Sequence, residues 1–501
     1  MTRSIFRPGL AAVAALLIPG AVLAQDLTIV LPEEPNSMDA CDTNYTANSR
    51  VLRNNITETL VNISPEDGSV VPGLATAWEQ TSPTTWRFTL RDGVTFQDGT
   101  PFTAEAVAFA LKRAQAEALE CSIRGSKLGS NPYTTAVIDK LTIDVTGEAP
   151  DPIIPYRLSV LDIPSPAATA VDAKSDAPVG TGPYRLAAWN RGSSIELVAN
   201  PDYWGDAPPV GKVSFLWRAE SAIRGAMVDT GEAQLAFNIA PQDATSPLDV
   251  TYLNGEITFL RIDALTPPLD DRRVREAINL AIDRDAMIGT IFHADVTKAT
   301  QIVLPSVVGY SDAIAPWPYD PERAMKLLEE ARADGVPVDD EIVLHGRLAL
   351  YPNSTESMEA VQAMLAAVGL NVRLNMMETS VWLKELLAPH AADRQPSLLQ
   401  SQHDNTQGDA VFTIGPKYRS TGNQAMIADK RVDALIDKAT AATGPERGAA
   451  FAEAFRLIET DIVADAPLFN MVGTVRVGPG VRYAPDVQTN NEIKLRTISL
   501  D

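Results

Sequence analysis

Side chains capable of chemistry are few in this 501-residue chain, and they do not gather into a catalytic pattern. The four histidines, His293, His345, His390 and His403, are scattered. No GxSxG, SxxK or HExxH sets a nucleophile or metal beside a base. Asp404 and Asp409, five residues apart, have the residue types of a glycosidase pair, yet two carboxylates at that spacing in a polar loop are common. Gly180-Thr181-Gly182-Pro183-Tyr184 is no phosphate cradle, because no Lys-Ser/Thr follows and GxGxxG is not met. Its glycines and proline read instead as a tight turn feeding Tyr184 into a strand. Cys41 and Cys121 are the only cysteines, without CxxC or a Cys/His cluster for zinc, and histidines this scattered do not suit free nickel. These residues predict a protein that binds rather than transforms, with no catalytic residue, no metal and no cofactor.

Composition narrows what it binds. A net charge of −22 argues against nucleic acid or an anionic membrane as partner. The first residues address the chain. Arg3 and Arg7 form a basic start, Leu10 to Ile18 an apolar core, and Val22-Leu23-Ala24 a small-residue cleavage site. Residues 1–24 are therefore expected to be a signal peptide. No cysteine stands near the cleavage site to take a lipid anchor. No later apolar run approaches the length of a membrane span. The expected product is a soluble, exported protein. In an oxidising compartment its two thiols are expected to form a Cys41–Cys121 disulfide. Closing a loop of that size favours the folded state by roughly 4 kcal/mol in the chain-entropy model.

The elements that must position any site alternate between strand and helix. Strands are expected over 26–31, 86–90, 137–145, 195–200, 213–217, 342–348 and 371–376 from apolar alternation or short apolar runs. Helices are expected over 48–60, 104–113, 223–230, 272–292, 321–331, 357–368, 432–442 and 445–461. Thr103 reads as an N-cap, Pro321 as a first helical residue and Gly369 as a C-cap. The proline-rich stretch 150–166 reads as irregular. This rhythm implies an α/β protein with parallel or mixed sheets, too long for one core.

Several blocks carry a resemblance. Residues 72–113, PGLATAWEQTSPTTWRFTLRDGVTFQDGTPFTAEAVAFALKR, are followed by GTGPYR at 180–185 and NPDYWG at 200–205. DDRRVREAIN at 270–279, AIDRD at 281–285, YDP at 319–321 and RVDALID at 431–437 complete the series. In order and spacing these blocks resemble the extracytoplasmic solute-binding proteins of peptide/nickel-type ABC importers, family 5. The resemblance implies a two-lobed periplasmic-binding-protein clamp, type II-like, with an additional third domain. Lobe I would comprise 25–57, 176–264 and 474–501, the extra domain 58–175, and lobe II 265–473. Two crossing segments would serve as the hinge. The implied function is delivery of a small ligand, foremost a short peptide, to an ABC permease in the inner membrane, by a monomer that closes on its cargo. An opine, glycoside or other small organic solute is the alternative, and a nickel or haem cargo a further one.

The resemblance also nominates residues. Peptide binders of this family hold the ligand's α-ammonium with an acid on the second lobe, since an unpaired charge in a closed cleft is costly. Asp404 occupies the matching position in LLQSQHDNTQGD at 398–409, with Asp409 as second candidate. His403 stands where the family commonly has Gly, no Trp precedes it, and its imidazole is a candidate reader of a polar group. Arg347 lies near where dipeptide binders place the arginine for a ligand carboxylate. Tyr133 sits near a ligand-touching tyrosine of relatives. Arg124, soon after Cys121, and Asn44 and Tyr45, after the first strand, are candidate cleft liners. Trp189 and Trp382 are assigned to the core.

Overall fold

The computed structural model describes residues 26–129, 131–348, 350–388 and 394–501. The expected signal peptide and His390 lie outside the described residues. A mixed sheet of 11 strands runs through the molecule. Its centre is made by the two longest strands, Asp249–Ile262 and Asp465–Val477, which pair antiparallel. On one side follow Ser397–Asp404, Ile342–Arg347 and Val372–Met377. On the other follow Leu235–Ala236, Asp26–Leu31, Lys212–Trp217, Ser194–Ala199 and Tyr184–Asn190. Parallel pairing is confined to Asp26–Leu31 with its two neighbours and to Ile342–Arg347 with its two neighbours. The strand–helix–strand rhythm thus yields the mixed α/β sheet it implied.

The apolar residues sort into separate cores. One joins Leu27, Val51, Phe215, Phe237, Val475 and Ile498, drawn from both ends and the middle of the chain. Two others draw on residues between 257 and 487, around Phe469 and around Phe455. A fourth, around Phe88, Phe102 and Val107, belongs to a separate four-stranded antiparallel sheet with the helix Ala104–Gln115 against it. Only the two central strands run from one half of the large sheet into the other. Between Leu253 and Ile257 their register slips, and Gly255 there has φ of 83°. A bulge with a left-handed glycine bends a strand locally, so the bend falls where the halves meet.

Several sequence expectations need correction. The helix expected over 48–60 spans Thr46–Leu52. Asn54 then turns left-handed, with φ of 58°, and Asn55 spends its side chain on the carbonyls of Arg50 and Ile493. The strand expected over 137–145 is a hairpin, Tyr133–Asp139 with Thr142–Gly147. The helix expected over 272–292 stops at Ala281, because Asp283 caps a new short helix, Arg284–Met287, through Ala286 N at 3.0 Å. Thr103 stands at the N-cap position, but its hydroxyl serves Glu105 at 2.6 Å instead of the helix backbone. The proline-rich stretch contains a short helix, Ile154–Leu158.

Candidate functional site

The large sheet brings a row of polar residues to one face. In a strand, alternate residues share a face. Gln400, Gln402 and Asp404 therefore line up along Ser397–Asp404, and Glu256 lies directly opposite Asp404 on the neighbouring strand. The segment 488–492, which returns from the C-terminal end of the chain, packs against this row. Asn491 Nδ2 donates to Asp404 Oδ2 and to Thr406 Oγ1, both at 3.0 Å, and Gln488 Nε2 donates to Thr406 O at 3.0 Å. Asn490 Nδ2 donates to Glu256 Oε1 at 3.2 Å, and Gln402 donates to the same carboxyl group. These bonds join the two halves of the sheet across a cleft.

Two chambers remain in that cleft. The smaller, about 50 Å3, lies where three units meet. Thr43, Asn44 and Asn491 come from the half containing the first strand, Ile123 and Lys127 from the small-sheet unit, and Asp404 and Thr406 from the other half. The larger, about 280 Å3, is lined by Glu256, Gln402 and Asn490 and by the apolar Ile291, Phe292, Tyr351 and Met471. Burial, with Asp404 next, pushes the Glu256 carboxyl up to about 8. Burial also lowers Lys127, and Asp404 opposes that shift.

Asp404 ends the strand Ser397–Asp404, where a loop beyond the strand was expected, and it lines the smaller chamber. Its oxygens accept from Thr406 N at 2.9 Å, Thr406 Oγ1 at 3.0 Å and Asn491, and among the described residues no cation stands within the 4.0 Å of an ion pair. Arg347, at the end of the neighbouring strand, lines neither chamber, and its side chain lies on the opposite sheet face, that of Leu399 and Trp382. Its backbone N–H donates to Gln400 Oε1 at 2.7 Å and its Nε to Thr379 Oγ1 at 3.1 Å, while the guanidinium lies 5.7 Å from the Trp382 ring centre. Burial lowers Arg347 and the Glu256 charge opposes that. Asn44 lines the small chamber, and its backbone N–H donates to Ser122 Oγ at 3.2 Å.

The remaining candidates lie elsewhere. Asp409 is fully buried and grips Arg447 with both oxygens, at 2.7 and 2.8 Å, and also accepts from Val411 N at 2.9 Å. Its carboxylate is committed to holding the helices Val411–Tyr418 and Gly444–Arg456 in place. His403 points away from Asp404 by strand alternation. Its Nε2 meets Thr413 Oγ1, its Nδ1 lies 3.4 Å from Lys417 Nζ, and desolvation holds it well below the usual histidine range. Tyr133 is buried, donating to Asp151 Oδ2 at 2.6 Å. Arg124 makes an exposed ion pair with Glu117 at 3.0 Å. Tyr45 is half exposed and lines neither chamber. Trp382 is core, as assigned. Trp189 is only half-buried, under the Arg191 guanidinium at 3.4 Å.

Sequence reasoning missed Lys127, Glu256, Gln402 and the 488–492 segment. Lys127 sits in RGSKLGS, which reads as a loop, and only the turn Arg124–Leu128 decides that Lys127 faces the cleft. The Cys41–Cys121 disulfide, Cα to Cα 4.8 Å, ties this turn to the Thr43-Asn44 loop. The polar run QTNNE was a signal available in the sequence, since five such residues flanked by Val487 and Ile493 suit a polar lining.

This two-lobed arrangement, with a polar cleft crossed by a shared pair of strands, is that of an extracytoplasmic solute-binding protein. Residues 69–423 match the model of the bacterial extracellular solute-binding proteins, family 5, and the chain belongs to that family. It is 29% identical over 473 residues to the glutathione-binding protein GsiB of Escherichia coli K12, covering 89% of each chain. Its fold is similar to that of HbpA2 from Haemophilus parasuis, with a TM-score of 0.82 at 19% identity over 95% of this chain and 100% of the other. It is also similar to DppA from Helicobacter pylori in complex with the peptide STSA, with a TM-score of 0.74 at 23% identity over 95% and 98%. Among the described residues no helix is long and apolar enough to cross a membrane.

Proposed function

We propose that this protein is a periplasmic carrier of short peptides, which closes its lobes on the ligand and presents the closed form to an ABC permease in the inner membrane. The observation that carries the reading is Asp404, an acid lining the chamber where the three units meet. Asp404 offers a carboxylate without an ion-pair partner among the described residues. Gln402 lies beside it on the same strand face, a hydrogen-bonding group suited to a peptide backbone. In this reading Asp404 takes the ligand's ammonium and Gln402 a backbone group beyond it.

The names of the relatives support a peptide-sized cargo, since one binds glutathione and another holds STSA. The division into lobe I (25–57, 176–264, 474–501), extra domain (58–175) and lobe II (265–473) is supported by the separate cores. The bend at Gly255 would then be part of the hinge. The carrier works as a monomer after signal-peptide cleavage, without lipid anchor, nucleic acid partner or catalytic step.

Thermal denaturation of ligand-stripped protein against di- to pentapeptides, opines, sugars and Ni²⁺ tests this. A ligand at a hundred times its dissociation constant stabilises by about 2.7 kcal/mol. The shift should appear with peptides and vanish on N-acetylation. Asp404→Asn should cost about 2–5 kcal/mol of affinity, as expected for a buried charge left without its partner. A shift with opines, sugars or metal and none with peptides would refute the peptide reading.

A further inference from the structure

Two of the four charges lining the small chamber, Arg53 and Glu492, are already spent. The Arg53 guanidinium bonds Asp162 Oδ2 at 2.9 and 3.1 Å and also the Thr43 hydroxyl at 2.9 Å. Glu492 accepts from Asn54 Nδ2 at 2.8 Å and pairs with Lys494 at 2.7 Å. Two opposite charges are left over. Asp404 is held only by hydroxyl, amide and backbone donors. Lys127 Nζ has no hydrogen-bond or ion-pair partner among the described residues, while its backbone carbonyl is fixed by Arg157 Nη1 at 3.0 Å. Arg157 is in turn fixed by Asp151 at 2.7 Å. Ser122 Oγ donates to Cys41 O at 3.2 Å beside the disulfide, so the turn bearing Lys127 is anchored from two directions. The two charges feel one another, but they stand farther apart than the 4.0 Å of an ion pair.

A preorganised acid and ammonium facing one small space are complementary to a group carrying both charges. An ordinary peptide terminus does not. Its ammonium can meet Asp404, but the same carbon bears an amide carbonyl, and Lys127 is left enclosed without an anion, which is costly. An intact amino-acid head group, with ammonium and carboxylate on one carbon, satisfies both. Resting on the peptide-carrier reading and narrowing it, we propose that the small chamber holds such a head group through Asp404 and Lys127, so that the protein prefers peptides joined through a side-chain carboxylate, of the γ-glutamyl kind. The rest of the ligand then enters the larger chamber beside Gln402 and Glu256. Lys127 is the specificity-determining residue, and it lies outside the halves of the large sheet, in the small-sheet unit.

The isomers γ-Glu-Ala-Gly and α-Glu-Ala-Gly have equal composition and charge and differ in where the head-group carboxylate sits. Isothermal titration of ligand-stripped protein should give at least tenfold tighter binding of the γ isomer. Lys127→Met should abolish that preference by weakening the γ isomer alone, and Lys127→Arg should retain most of it. Unchanged melting of the ligand-free variants establishes that they fold. Equal or tighter binding of the α isomer, or a γ preference that survives Lys127→Met, overturns the inference and leaves the peptide reading standing. Binding of neither isomer, nor of any other peptide, removes both.

Discussion

Asp409 and Asp404 lie five residues apart, and one experiment separates the structural duty of the first from the ligand-reading duty proposed for the second. Asp409→Ala removes the carboxylate that Arg447 grips from two sides at 2.7 and 2.8 Å, in a pair whose side chains are 0% and 5% exposed. Removing one partner of a buried pair leaves an uncompensated charge and costs about 3–5 kcal/mol. Loss of the bond to Val411 N at the start of the helix adds about 1 kcal/mol. Arg447 keeps its bond to Ala439 O at 2.8 Å and its place over Phe451 at 4.8 Å, so part of its environment survives. The sum is a large share of the 5–15 kcal/mol typical of a domain, so Asp409→Asn, which keeps the shape and loses the charge, is the milder companion. Urea unfolding should show both variants destabilised, Ala more than Asn. A double variant with Arg447→Met should recover stability relative to Asp409→Ala, because the stranded cation is gone. Ligand affinity of the folded Asp409→Asn protein should match the parent. Wild-type unfolding combined with lost binding would refute the assignment and return Asp409 to the ligand site.

Two further outcomes follow from the cleft. Glu256 has a folded value near 8 against an ordinary 4.5. The folded form therefore binds the proton more tightly. Its contribution is complete below about 4.5 and is lost as pH rises through about 8, at up to about 1.4 kcal/mol per pH unit inside that window. Glu256→Gln should flatten this fall in ligand-free protein and be more stable than the parent at pH 8.5. Parallel melting profiles of the two proteins from pH 5 to 8.5 would sink the argument. Gly68 tests closure. It has φ of 69°, and a Cβ there would overlap Ser306 O and come within 2.9 Å of Gly408 O, across the contact between the small-sheet unit and the second half of the large sheet. Gly68→Ala should weaken ligand binding about tenfold and blunt ligand-induced compaction in small-angle scattering. Unchanged affinity and compaction would show that this contact is not needed to close.

The sequence exposed most of the short strands and helices, because signals such as Pro321 and Gly369 act locally. It hid the two longest strands. Asn254-Gly255 and Pro467 read as turn or breaker signals, yet here they mark a bulge and an irregular register inside continuous strands. Long-range pairing overrode local preference. The same limit applied to the site. Asp404 was nominated through a resemblance of local blocks and lines the smaller chamber. Lys127 was not, since Arg124 three residues earlier has the same charge, and only the turn settles which side chain faces inward. His403 and Asp409 illustrate the converse. Each neighbours the cleft in sequence, but strand alternation sends one away from Asp404 and Arg447 claims the other.

The position of Asp465–Val477 has a consequence for how the molecule comes into being. This strand is synthesised after every other strand of the large sheet, yet it pairs with Asp249–Ile262, Leu235–Ala236 and Thr297–Lys298 in its middle. Until it arrives, the two halves of the sheet are unconnected, and the core around Phe215 lacks Val475. A nascent chain of this topology cannot complete its lobes one after the other. Pairings this distant in sequence also form slowly. The large sheet is thus closed by the strand that becomes available for pairing after all its others.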